Sequence, residues 1–313
     1  MSLDPETISP RLMGFDTWSD QDILEALWQG QAGAIAAVRA ALPALAAAAR
    51  DMANRLEVGG RLVFVGAGTS GQVAALEAAE LPATFGWPQE RVASCAPVVG
   101  THAGGSAEDD PGQGSAAIRA LALSPLDVVV AVAASGDTPF TCAAAAEAFG
   151  RGALVVAVFN RQAGRLRQQA HHPVFLETGA EIPAGSTRMN AGTAQKAALN
   201  LMSVLVMTRL GRVHDGLMVE LMPNRPKFRA RATRIVASLT RLPDERAERL
   251  LLQAGGDIKQ AVLMAHGHNA SDAGLLLARH DGKLRKALDA IGAGAAAMGS
   301  TGAPPGGDCH PTP

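Results

Sequence analysis

A chain of 313 residues with 48% hydrophobic and 18% charged side chains can bury a substantial core, and this balance excludes a disordered protein. A net charge of −1 gives no overall field that would recruit nucleic acid or an anionic membrane, and neither is expected as a partner. Aromatic residues make up 4% and tyrosine is absent, so the core must rest on Leu, Val, Ile and Ala.

The first twenty residues are polar, punctuated by Pro5 and Pro10, and lack the basic and apolar regions of a signal peptide. Asp20 to Leu56 carries Ala, Leu and Ile at helical spacing, with Pro43 expected to restart or kink the helix. Arg39 and Pro43 interrupt the Ala-rich stretch 32–49, so no bilayer-spanning run is expected. Arg61 to Val65 reads as a strand, and Gln72 to Glu80 as a helix. Further strands are expected at Val92–Cys95, Asp127–Ala133, Leu154–Phe159 and Val174–Leu176, with an Ala-rich helix ending at Phe149. A long helix should run from Met189 to Arg209, with Ser186 or Thr187 as its cap, and at least two short helices between Leu242 and Leu288. The tail from Gly292 to Pro313, rich in Gly, Ala and Pro, is expected to be disordered. Apolar strands alternating with helices predict an α/β fold: a doubly wound, mainly parallel sheet with helices on both faces and a small C-terminal helical appendage.

In such sheets ligands bind beyond the carboxyl ends of the strands. The first loop there reads Gly66-Ala67-Gly68-Thr69-Ser70-Gly71, between a strand and a helix. Its glycines permit a tight turn, and free amides with two hydroxyls can surround an anion. It is neither a dinucleotide fingerprint, since its third glycine is misplaced, nor a P-loop, since it lacks the Lys. The second, Ala133-Ala134-Ser135-Gly136-Asp137-Thr138-Pro139, repeats the arrangement. Two hydroxyl-rich loops at neighbouring strand ends with little positive charge suit a phosphomonoester on a small molecule. Either alone is equally well a plain helix cap.

Gly185-Ser186-Thr187-Arg188-Met189-Asn190 runs into Ala191-Gly192-Thr193-Ala194-Gln195-Lys196, the densest polar stretch, where Arg188 and Lys196 can reach an anion. Gly192 costs a helix about 1 kcal/mol against Ala, which a close contact would justify. Glu77 and Glu80 lie one turn apart, and Glu108 sits in the acidic run Glu108-Asp109-Asp110; spacing alone gives these carboxylates no more than solvated or capping roles. Cys95, Cys142 and Cys309 form no Cys-x-x-Cys pair, so no disulfide framework or zinc site is indicated, and a reducing compartment is expected. His266 and His268 have no neighbouring carboxylate or cysteine ligand, and Cys309-His310 lies in the tail. The basic run Arg225–Arg234 lacks interleaved aromatics and reads as a solvated face.

These blocks resemble the N-acetylmuramic acid 6-phosphate etherases, within the sugar isomerase (SIS) fold. The resemblance rests on GAGTSG with EAAELPATFG (66–86), AGG and AEDD (103–110), AASGDTPF (133–140), GSTRMNAGTAQK (185–196), Asn200 and NRPKFRARATRIV (224–236). Mammalian glucokinase regulatory proteins share some of them. The resemblance implies a cofactor-free lyase acting on a cytoplasmic amino-sugar phosphate, in cell-wall recycling. It eliminates D-lactate from carbon 3 of the ring-opened sugar and then adds water, giving N-acetylglucosamine 6-phosphate. The family's glutamates map onto Glu80 as acid and Glu108 as base. Thr69, Ser70, Ser135 and Thr138 map onto the phosphate site, with Gly68, Gly136, Ser186, Thr187 and Arg188 as further binding residues. Two departures stand out: Gly105 is followed almost at once by Ser106-Ala107-Glu108, and Asn190 replaces a lysine.

The expected organisation is an N-terminal helical segment (1–58), an SIS-like domain (59–237), a helical C-terminal domain (238–291) and the tail (292–313). Leu199, Met202, Leu205 and Val206 are too many for one sheet face, and SIS-like proteins usually pair, so a homodimer or larger assembly is expected. A non-catalytic sugar-phosphate sensor and an aldose–ketose isomerase are the alternatives.

Overall fold

The computed structural model describes residues 4–98 and 106–299. Ala103-Gly104-Gly105 and Cys309-His310, singled out above, lie outside the described residues. The chain divides by its internal contacts into Met1–Leu210 and Gly211–Pro313.

In the first unit, α1 (Asp20–Glu57) starts on Ser19, whose hydroxyl accepts from Asp22 N at 3.2 Å. It runs through Pro43 without restarting, because Val38, Ala41, Leu45, Ala48 and Met52 bury one continuous face. Contrary to expectation, α1 is long and apolar enough, by length and composition, to cross a membrane. Here it packs on α5 (Asn190–Arg209) and is no separate N-terminal module.

The sheet contains β1 (Leu62–Gly66), β2 (Val92–Cys95), β3 (Val128–Val132), β4 (Leu154–Phe159) and β5 (His172–Phe175). All neighbours are parallel, in the order β2-β1-β3-β4-β5. Every residue of β1, β3 and β4 is buried, which is why these strands read as apolar runs without alternation. On one face Val63, Val65, Val129, Ala131, Val155 and Ala157 pack with α3 (Pro111–Ala120) and α4 (Pro139–Gly150). The other face is covered by α1 and α2 (Gly68–Phe85), with α5 packed against both. Leu199, Met202 and Val206 are fully buried there and Leu205 is half-buried, while Leu201 and Val204 are the exposed apolar residues of α5.

The second unit opens with a hairpin, β6 (Val213–His214) and β7 (Leu217–Met218), which the sequence did not reveal. It continues with α6 (Pro226–Thr240), α7 (Asp244–Gln253), α8 (Ile258–Ala265), α9 (Ala270–Arg279) and α10 (Leu284–Gly299). Ala232, Ile235 and Val236 of α6 share a core with Leu251, Ile258, Val262 and Leu277. Residues 211–237 therefore fold with the C-terminal helices and not, as expected, with the sheet. Residues 292–299, expected in the disordered tail, belong to α10.

Candidate active site

The sheet reverses its winding between β1 and β3, and Gly66 pairs in register with Val132, so the loops following these strands leave side by side. In the first, a Cβ on Gly71 would stand 2.6 Å from Gly66 O; only glycine lets α2 start so close to its strand. Gly68 has φ +53°, and a Cβ there would meet Glu108 Oε2 at 3.4 Å. The Glu108 carboxylate, half-buried, thus lies by Gly68 at the amino end of α2. Gly192 of α5 faces the same point: its Cβ would come 3.2 Å from Thr69 Cγ2 and 3.4 Å from Thr187 O. Three sequence blocks therefore meet around Gly68 and Thr69. Asp110, at the end of the acidic run, caps α3 by accepting from Gly112 N at 2.8 Å and Gln113 N at 3.2 Å.

The plain capping reading fails for both loops. Ala67 and Thr138 occupy the N-cap positions of α2 and α4, and neither contributes a side-chain cap bond. Ser70 instead donates to Gln195 Oε1 at 3.0 Å in a buried contact. Ser135 Oγ accepts from Asp137 N at 3.1 Å and lies 3.5 Å from Thr138 Oγ1. Gly136 takes φ +68°, and Gly164 packs against it.

Two cations at the second loop escaped the sequence reading. Arg161 donates from Nε to Ser135 O at 3.1 Å and pairs with Asp137, while Arg165 N donates to Asp137 Oδ1 at 2.9 Å. Burial acts to raise the Asp137 pKa, but the Arg165 amide and the two guanidinium groups outweigh it and hold the carboxyl below its usual range. Both arginines lie beyond β4, and only the parallel crossover returns them to β3. Arg161 also lies 3.8 Å from Asp4. Pro5 O accepts from Glu181 N and Gly185 N, each at 3.2 Å, so residues 4–6 strap the loops together.

The signature before α5 is built differently from expectation. Neither Ser186 nor Thr187 caps the helix. Glu181 does, accepting from Asn190 N and Ala191 N at 2.8 Å each, and it is fully buried. Ser186 and Thr187 are half-buried and Arg188 is exposed. Asn190 turns inward, accepting from Gln31 Nε2 at 3.1 Å and donating to Ala180 O at 3.1 Å. It borders a cleft of about 970 Å³ lined also by Trp18, Asp22, Glu25 and Thr178.

Glu80 is not brought to Glu108. It stands twelve residues after Gly68 on α2, a rise of about 18 Å at 1.5 Å per residue. Its Oε2 is 2.8 Å from Lys196 Nζ, which also donates to Glu77 Oε2 at 3.1 Å. Glu77 is buried and accepts from Ser203 Oγ as well. Lys196, expected to reach an anionic ligand, is thus engaged by two carboxylates. Burial lowers its pKa, but the bonds and charges of Glu80 and Glu77 outweigh this and leave it above the usual lysine value. Among the described residues no cluster of three potential metal ligands occurs.

The SIS domain family matches residues 32–160. An N-acetylmuramic acid 6-phosphate etherase of Deinococcus radiodurans is 40% identical, over 90% of this chain and 94% of its own length. That of Symbiobacterium thermophilum is 44% identical over 72% and 76%. A solved phosphoheptose isomerase of Francisella tularensis is 19% identical with a TM-score of 0.47, over 61% of this chain and all of that one. Identity of this degree across nine-tenths of the sequence includes every loop that meets at Gly68, and the chain belongs to the N-acetylmuramic acid 6-phosphate etherase family.

Proposed function

We propose that this protein is a carbon–oxygen lyase that converts N-acetylmuramic acid 6-phosphate to N-acetylglucosamine 6-phosphate and D-lactate, in the cytoplasm. The observation that carries the reading is the Glu108 carboxylate lying against Gly68, in a chain whose relatives bear this activity in their names. The phosphate sits against Thr69, the first amides of α2, Ser135 and Thr138, where an anion gains from the unpaired N–H groups of a helix start. Ser186, Thr187 and Arg188 contribute from the segment before α5. Glu108 removes the proton on carbon 2 of the ring-opened sugar. The electron pair forms a carbon 2–carbon 3 double bond, the carbon 3–oxygen bond breaks, and the departing lactate oxygen takes a proton from Glu80. Water then adds its hydroxyl at carbon 3 and a proton at carbon 2.

One chain's geometry adds a condition. With about 18 Å of helix between Gly68 and Glu80, the two carboxylates of a single chain do not reach one sugar. Glu80 therefore serves a substrate held by a second copy, in a homodimer. Its surroundings support this: Leu76 on α2 and Leu201 and Val204 on α5 are exposed apolar residues on the two helices that carry Glu80 and Lys196. Incubating the purified protein with N-acetylmuramic acid 6-phosphate and assaying D-lactate tests the activity. Tight binding without lactate release would instead identify a sugar-phosphate sensor.

A further inference from the structure

Behind the first loop runs a buried polar chain that the proposed chemistry does not use. Asn160, 2% exposed, follows β4; its backbone N donates to Ala134 O of the second loop at 2.9 Å. Its Nδ2 donates to Leu176 O, just beyond β5, at 3.1 Å and to Thr178 Oγ1 at 3.2 Å. A carbonyl can only accept, so the amide end of Asn160 is fixed toward β5 and Oδ1 faces the interior. Gln195, fully buried on α5, donates Nε2 to that Oδ1 at 2.9 Å. Its Oε1 is thereby turned to Ser70, at 3.0 Å, and the single Ser70 proton must point at it. The Leu176 carbonyl thus sets the direction of every bond in the chain as far as the phosphate loop.

We propose that Gln195 is a positioning residue of the phosphate site, locking the Ser70 side chain and, through it, the first turn of α2 against the carboxyl ends of β4 and β5. The anion then meets a cradle of Thr69 and α2 amides already fixed before it arrives. Pre-ordering of this kind acts on affinity, because the loop loses no freedom when the ligand binds. This rests on the reading that the first loop holds the phosphate.

The test is a double-mutant cycle in the full-length protein, read by calorimetry with N-acetylglucosamine 6-phosphate, which needs no turnover, and by steady-state kinetics. Gln195→Met keeps the volume and removes both bonds. It should weaken binding and raise KM at least tenfold with kcat within about threefold, and Ser70→Ala should do the same. The combined variant should be no weaker than the worse single one, since both break one linkage. Multiplicative losses, or Gln195→Met binding as wild type does, would overturn the proposal. A merely structural role would lower the melting temperature and leave the folded protein's affinity and the KM-to-kcat split unmoved. Should Gln195→Met not fold, Gln195→Asn keeps the buried amide but withdraws it from Ser70, and the same loss is expected. Binding that behaves as predicted in a protein that releases no lactate would sink the etherase reading alone.

Discussion

Glu181 caps a helix to which it does not belong: its carboxylate accepts from Asn190 N and Ala191 N at 2.8 Å each, at the point where the signature segment turns into α5. Substituting Glu181→Ala orphans two buried amides and should cost about 2–4 kcal/mol, taking the desolvation of an unsatisfied donor with the loss of a cap. Burial pushes the Glu181 pKa up, the two amide bonds only partly offset it, and Glu6 adds to the rise. With the folded value above the unfolded one, the folded state binds the extra proton, so stability falls as pH rises through that interval and is level above it. Urea midpoints from about pH 4 to pH 8 should show this slope in the wild type and lose it in Glu181→Gln. An unchanged slope would remove Glu181 as its source.

The two proposed catalytic carboxylates should fail differently. Glu80→Gln should stop lactate release yet still exchange the carbon 2 proton with deuterated solvent, since deprotonation needs no acid. Glu108→Gln should lose both, each loss being about 10²–10⁴-fold. Because Glu80 is assigned to the partner's substrate, mixing the two inactive variants should restore up to about a quarter of the activity, from the one intact site in each mixed dimer. Mixtures that stay inactive after subunit exchange, verified by mass, would contradict a shared site.

Lys196→Met should leave the Glu77 carboxylate buried beside Ser203 without its cation. Breaking a buried pair from one side costs about 3–5 kcal/mol, and we expect about 2–3 here because the lysine side chain is 30% exposed. The Lys196 pKa is raised on folding, so the stability it supplies is complete below the ordinary lysine value, about 10.4, and disappears as pH climbs through the folded one. Thermal melts of the wild type should therefore weaken in that alkaline range, and those of Lys196→Met should not.

Gly192→Ala sets two effects against each other. Alanine favours the helix by about 1 kcal/mol, while its Cβ would stand 3.2 Å from Thr69 Cγ2 and push the first loop by a few tenths of an ångström. Stability should change by less than about 1 kcal/mol, whereas sugar-phosphate affinity should fall about tenfold, as a displaced cradle loses alignment. Wild-type affinity would mean that Gly192 serves helix packing alone.

Much of the fold was written locally. Strands β1, β3 and β4 announce themselves because a strand buried on both faces must be apolar throughout. The first loop does so because Gly66 and Gly71 are demanded by a backbone approach that no side chain permits. The blocks shared with the etherases carried the family for the same reason, since each is a contiguous run around one turn. The cap on α5 was misread because a Ser or Thr beside a helix start is the local solution, and nothing within four residues signals that a glutamate nine positions earlier has taken the place. The hydroxyl of Ser70 likewise looked free for a ligand until α5 brought Gln195 against it, 125 residues along the chain. The sequence by itself determined which segments form the sheet and where its loops fall, because hydrophobic period and glycine geometry act over a few neighbouring residues. Only the tertiary structure decided which donors those loops have left to give and that Glu80 stands a helix's length from Glu108, because hydrogen-bond partners and distances are fixed by how the helices pack across the sheet.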